Sequence, residues 1–325
     1  MDVMTHSPTR QGGWTPLRLV DSEKSMRRWF VASVVANMLI IVTGAIVRLT
    51  GSGLGCPTWP ECFEGSYTPH PEAGIQGIIE FGNRLLTFVL IIVALGSFIS
   101  TWLNRPIFSK LWWLTLGIGL GIPFQGVIGG ITVLVDLNPW VVALHLLLSV
   151  ALIVLTTWAL TIARGVPADV IAPGARVLVI VTFALAMLAI WIGTIVTGAG
   201  PHAGDINAER NGLNILIVAR MHSASAWLLT LASVACVALL RRGRHLRATR
   251  AAWMLLGTVF LQGLIGYIQY FTGVPVGLVI VHIIGLTLVT LAAAWLLFST
   301  RRQPTGIAAP TPAARLTKEP ASSSN

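Results

Sequence analysis

Charge is scarce in this chain. Only 10% of its 325 residues are Asp, Glu, Lys or Arg, where a soluble domain of this length carries about a quarter. With a mean hydropathy of +0.78 and 54% hydrophobic residues, that scarcity excludes a soluble globular domain. Apolar runs that can cross a bilayer, about 20 residues each, lie at roughly 29–48, 76–101, 111–135, 139–163, 175–197, 214–240, 250–272 and 276–299. Their length excludes the strands of a barrel, so the fold class is an all-α integral membrane protein with eight transmembrane helices.

Other absences narrow the reading. The stretch up to Arg28 has no apolar core and no small-residue cleavage site, so 1–28 reads as a cytoplasmic tail and not as a cleaved signal peptide. The formal charge of +10 does not make a nucleic-acid footprint, because 18 of the 22 basic residues fall on one side of an eight-span topology. By the positive-inside rule that side is cytoplasmic, with both termini inside. Glu61, Glu64, Glu72, Asp136, Asp205 and Glu209 fall on the other side. The segment 300–325, rich in Pro, Ala and Ser, reads as a disordered cytoplasmic tail.

Cysteines number three. Cys56 and Cys62 stand close together in "GCPTWPEC" on the first outer loop, 49–75. They fit a local disulfide in an oxidising compartment. A metal-ligating thiol pair is the competing reading, but no histidine or third cysteine stands near enough in sequence to complete a set. Cys236 reads as a small core residue.

The chain repeats itself. "FQGVIGGITVL" in span three is echoed by "LQGLIGYIQYF" in span seven, and "VVALHLLLS" in span four by "LVIVHIIGL" in span eight. Span one ends in "GAIVRLTGSGLG" and span five in the matching "GTIVTGAGPHAG". Two pseudo-symmetric four-helix bundles in tandem are expected, 29–163 and 175–299, joined by a cytoplasmic linker at 164–174 and related by an axis along the membrane normal.

Of seven histidines, three lie within spans: His145, His222 and His282. All enter from the outer side and share one depth in the outer leaflet. A single intramembrane histidine reads as a helix–helix hydrogen bond. A pair repeated at matched depth, here His222 and His282, reads as two axial ligands gripping a heme iron. Arg48, Arg84, Arg210 and Arg220 lie near that layer. Arg48 and Arg210 suit snorkelling to the interface, while Arg84 and Arg220 are candidate partners for heme propionates.

With these residues in place, the chain resembles the heme A synthase family, the CtaA type of cytochrome oxidase assembly enzymes. The resemblance rests on "GAIVRLTGSGLGCPTWPEC", "IIEFGNR", "HLLLS", "RMHSASAW" and "VHIIG", and covers about residues 29–299. It implies a cell-membrane oxidoreductase that converts the C8 methyl of heme O to a formyl group, giving heme A for cytochrome c oxidase. It implies a heme b cofactor on His222 and His282, a substrate heme on His145, a catalytic Glu80, and a Cys56–Cys62 pair linked to activity or heme handover. Candidate partners are the heme O synthase (a protoheme farnesyltransferase), oxidase assembly factors, an electron acceptor or donor, and the lipid bilayer.

This sequence departs from the family at Asn83, where histidine is usual. An amide is a poor iron ligand beside imidazole, so His145 alone is expected to hold the substrate iron, with the opposite face open or closed by water. Glu80, Asn83 and Arg84 share one helical face. Glu80 is either half of an ion pair with Arg84 that steadies the helix or a proton acceptor beside the reacting methyl. A diheme b-type electron-transfer cytochrome is the rival reading. A transporter is disfavoured because no span is broken midway by paired Gly and Pro.

Overall fold

The computed structural model describes residues 22–104, 109–165 and 167–302. Eight helices in it are long and apolar enough to cross a membrane, and the chain is a multi-pass membrane protein. They are α1 (Glu23–Leu49), α2 (Gly74–Leu103), α3 (Ser109–Leu134), α4 (Pro139–Ala163), α5 (Pro173–Ala199), α6 (Ile215–Arg242), α7 (Leu246–Phe271) and α8 (Val276–Phe298). Even the shortest, of 23 residues, extends about 35 Å, enough for a hydrocarbon core about 30 Å thick.

Polar caps set where the helices begin. α1 starts at Glu23, ahead of its apolar run, because the Ser22 hydroxyl accepts the Ser25 N–H at 3.1 Å and Glu23 suits the positive end of the helix. Asn138 accepts the Trp140 N–H to open α4, and Asn214 accepts the Leu216 and Ile217 N–H groups to open α6. α7 starts at Leu246, before the expected 250, and the Asp169 carboxylate accepts the Ala248 N–H at 3.0 Å.

Helices α1 to α4 close a ring of neighbours, α1 on α2, α2 on α3, α3 on α4 and α4 on α1. Helices α5 to α8 close a second ring in the same order. The rings meet where α8 packs on α4 and α1, and α4 on α5. The segment expected as a linker contains a short strand, β1 (Asp169–Ile171). It pairs in parallel with β2 (Thr300–Arg302), in the segment expected as a tail. Ile171 is fully buried there, and Arg176 donates to the Leu297 carbonyl at 2.6 Å, so packing and hydrogen bonds together favour this pairing. The remainder of the expected tails, 1–21 and 303–325, lies outside the described residues.

Fully packed side chains gather toward one end of the molecule. In the C-terminal ring they include Val179, Leu229, Leu240, Leu255, Ala293 and Leu296; in the N-terminal ring, Met26, Phe30, Leu111 and Leu160. At the other end, no residue of 139–149 in α4 or 276–286 in α8 is buried. Each of those stretches carries one of the three histidines of interest.

Candidate functional site

His145 stands six residues past Pro139, His222 seven past Ile215 and His282 six past Val276. At 1.5 Å per residue these are nearly equal depths, about 9–11 Å from the helix starts. The ring centres of His222 and His282 lie 6.4 Å apart with planes crossed at 73°. Two imidazoles that each give one nitrogen to a single metal at about 2.0–2.1 Å hold their centres roughly 6 Å apart. The spacing therefore fits an iron between the two rings.

Neighbouring groups aim these rings. His222 Nδ1 donates to the Ala189 carbonyl on α5 at 3.0 Å, which leaves Nε2 free to ligate. Gln262 on α7 donates to the His282 carbonyl at 2.7 Å, and Gln125 on α3 does the same to His145 at 3.1 Å. The repeated glutamines thus fix the backbone of each α4/α8 histidine. Glycines fit the rings closely: a Cβ built on Gly193 would stand 3.1 Å from His222 Cε1, and one on Gly129 3.2 Å from His145 Cε1.

The N-terminal half is built differently. Glu80 is buried on α2, and its Oε2 accepts the Cys56 N–H at 2.7 Å. Arg84 gives two N–H groups to Glu80 Oε1, at 2.6 and 3.2 Å, and the other three to the carbonyls of Cys56 (2.8 Å), Thr58 (3.0 Å) and Glu61 (3.2 Å). Those five bonds use every donor of the guanidinium. Cys56 and Cys62, both fully buried, form a disulfide with their Cα atoms 4.4 Å apart, so the metal-ligating alternative falls away. Within this ring Trp59 lies against Gly130 on α3, where a Cβ would come within 2.3 Å of the indole. Gly129, next along α3, faces the His145 ring. A disulfide-closed, arginine-bolted loop thereby packs its indole on α3, one residue along from the glycine that faces His145.

Of the residues singled out from sequence, His222 and His282 come together, as do Glu80, Arg84 and the Cys56–Cys62 loop. Asn83 lies one turn from Glu80, and its Oδ1 is buried with no hydrogen-bond partner. Arg220 is exposed on α6, two positions from His222, a spacing that does not share a helix face. Arg48 does not snorkel. Its Nε donates to the His202 carbonyl at 2.7 Å and its Nη2 to the Thr197 carbonyl at 3.0 Å, tying α1 to the far half. Trp59 and the bonds from the glutamines to the histidine carbonyls were missed in sequence. The matching offset of Gln125 and Gln262 was the available signal for the glutamines, and nothing marked Trp59.

Residues 27–294 match the family described as COX15-CtaA, cytochrome oxidase assembly protein. The heme A synthase of Bacillus pumilus is 30% identical over 37% of this chain and 39% of its own length, and that of Lysinibacillus sphaericus 36% identical over 36% and 38%. The matched stretch thus spans less than half the length of these curated relatives. The heme A synthase of Halalkalibacterium halodurans is 27% identical over 78% of this chain and 87% of its own. With most of its described residues inside the family match, the chain belongs to the COX15-CtaA family of cytochrome oxidase assembly proteins.

Proposed function

We propose that this protein is a heme A synthase, oxidising the C8 methyl of heme O to a formyl group. The observation that carries the reading is an asymmetry between halves. A bis-imidazole pair, His222 and His282, sits in one half, and His145 with Asn83 and Glu80 in the other. His222 and His282 would hold heme b, which would supply a one-electron redox centre. His145 would hold the iron of the substrate heme, and Asn83 lies on the second helix of the same ring. Glu80 is the proton acceptor near the reacting methyl, with Oε1 held by two Arg84 N–H groups and the remaining lone pair on Oε2, which also accepts the Cys56 N–H. Arg84 spends all its donors on that loop and on Glu80, so it has none left for a propionate. Both termini lie in the cytoplasm and the histidine layer toward the outer leaflet, following the basic residues. Heme O synthase, oxidase assembly factors and an electron acceptor or donor are the proposed partners.

The test is to express the chain with a heme O source, extract its hemes and separate them by chromatography. Heme A is the expected product, and His222→Ala should eliminate it. The 6.4 Å histidine spacing also suits a diheme electron carrier; heme b bound without any heme A formed would establish that reading instead. A second variant checks the cofactor site. Gly193→Leu places a branched side chain where a single Cβ already lies 3.1 Å from His222. Its heme b should be lost or converted to high spin, read by absorbance and by heme per chain; unchanged low-spin heme would rule out His222 as a ligand.

A further inference from the structure

The repeat sets Gly44 on α1 in the place that Gly193 holds on α5, and Asn83 on α2 in the place of His222 on α6. The two glycines have different surroundings. A Cβ on Gly193 meets the His222 ring at 3.1 Å, whereas a Cβ on Gly44 meets nothing within 4 Å. Gly44 is nonetheless not an exposed, lipid-facing glycine; it is half-buried on a helix packed against α2 and α4. The shorter Asn83 side chain leaves open space at the position where the second half has an imidazole. Among the described residues, its Oδ1 is buried and has no hydrogen-bond partner. Glu80 and Arg84 are engaged by the loop.

From this we infer that the face bounded by Gly44 and Asn83 is a site for an exchangeable neutral ligand of one or two heavy atoms, such as water or a diatomic gas, opposite His145. The inference rests on the proposed binding of substrate heme by His145. Size follows from the difference between an imidazole and a carboxamide. Neutrality follows from the surroundings: the neighbouring charges, Glu80 and Arg84, are already bonded to each other, and a further buried charge without a partner is costly. The carboxamide both donates and accepts, so it can hydrogen-bond either kind of ligand. Gly44 sets the room available, because any larger side chain there extends into the same space.

The full-length chain, loaded with heme O in detergent, is titrated with carbon monoxide after reduction, and its spin state is read before reduction. Wild type should form a carbon monoxide adduct on one of its two hemes and show one high-spin and one low-spin component when oxidised. Asn83→His should render both hemes low-spin and weaken carbon monoxide binding at least tenfold. Gly44→Leu should weaken it comparably with heme content unchanged; Gly44→Ala, a milder change, should fall between. Two hemes per chain that are both low-spin and bind no carbon monoxide overturn this inference alone. So does an affinity that Asn83→His and Gly44→Ala leave unmoved. A chain that takes up no second heme overturns the parent reading as well.

Discussion

Glu80→Gln is expected to lower conversion of heme O by about 10²–10⁴-fold, the range for loss of a positioned proton acceptor, while leaving the heme b spectrum intact. The substitution is informative because of where the carboxylate sits. Glutamine has nearly the same shape and can still offer an oxygen to the Cys56 N–H, but its NH2 then faces the two Arg84 N–H groups that Oε1 accepts, so some stability is lost with the ion pair. What disappears is the negative charge and the ability to take a proton. If Glu80 served only to steady α2 and the loop, turnover per folded, heme-loaded chain would stay within a few-fold of wild type. Loss of heme b together with turnover would identify a fold-wide role instead. Heme content per chain, recorded beside the product assay, separates the outcomes.

Arg84→Leu should have the largest effect on stability, about 3–5 kcal/mol, the cost of stranding one member of a buried ion pair. The Glu80 side chain is 7% exposed and that of Arg84 21%, so little water is available to replace the guanidinium. Three carbonyls of the disulfide ring lose their donor at the same time. Arg84→Lys keeps the charge but has three donors in place of five, and an intermediate loss is expected. Thermal unfolding in detergent, with limited proteolysis of the 49–75 loop, measures both variants. A loss below about 1 kcal/mol, the level of an exposed pair, would contradict the buried-clamp description.

The parts of the molecule that were legible in sequence depend on local periodicity. Span lengths, the equal depth of three histidines and the close cysteine pair are set by residues near one another along the chain, and the structure places them as expected. Helix starts shifted where a polar cap extended an apolar run, as Ser22 does for α1 and Asp169 for α7. Other features depend on partners distant in sequence. Arg84 and Glu80 stand four apart and were legible as a pair, but the carbonyls that complete the arginine's set lie 23 to 28 residues away. Arg48 reaches carbonyls 149 and 154 residues on, and β1 pairs across more than a hundred residues with a strand too short to show alternation. No single-sequence pattern encodes such meetings.

Arg48 has a mechanical consequence. Its two hydrogen bonds into the far half are joined by one from the Gly53 N–H to the Gly204 carbonyl at 2.9 Å, and by Leu137 packed with Ala203 and Ala208. A machine that worked by rocking one half against the other would break all of these contacts in each cycle. The molecule is instead braced like two columns under one lintel, with the gap between its histidine sites fixed by construction. On the proposed function, traffic between the halves would be electrons crossing a constant distance, and the moving parts of the cycle would be the hemes that enter and leave.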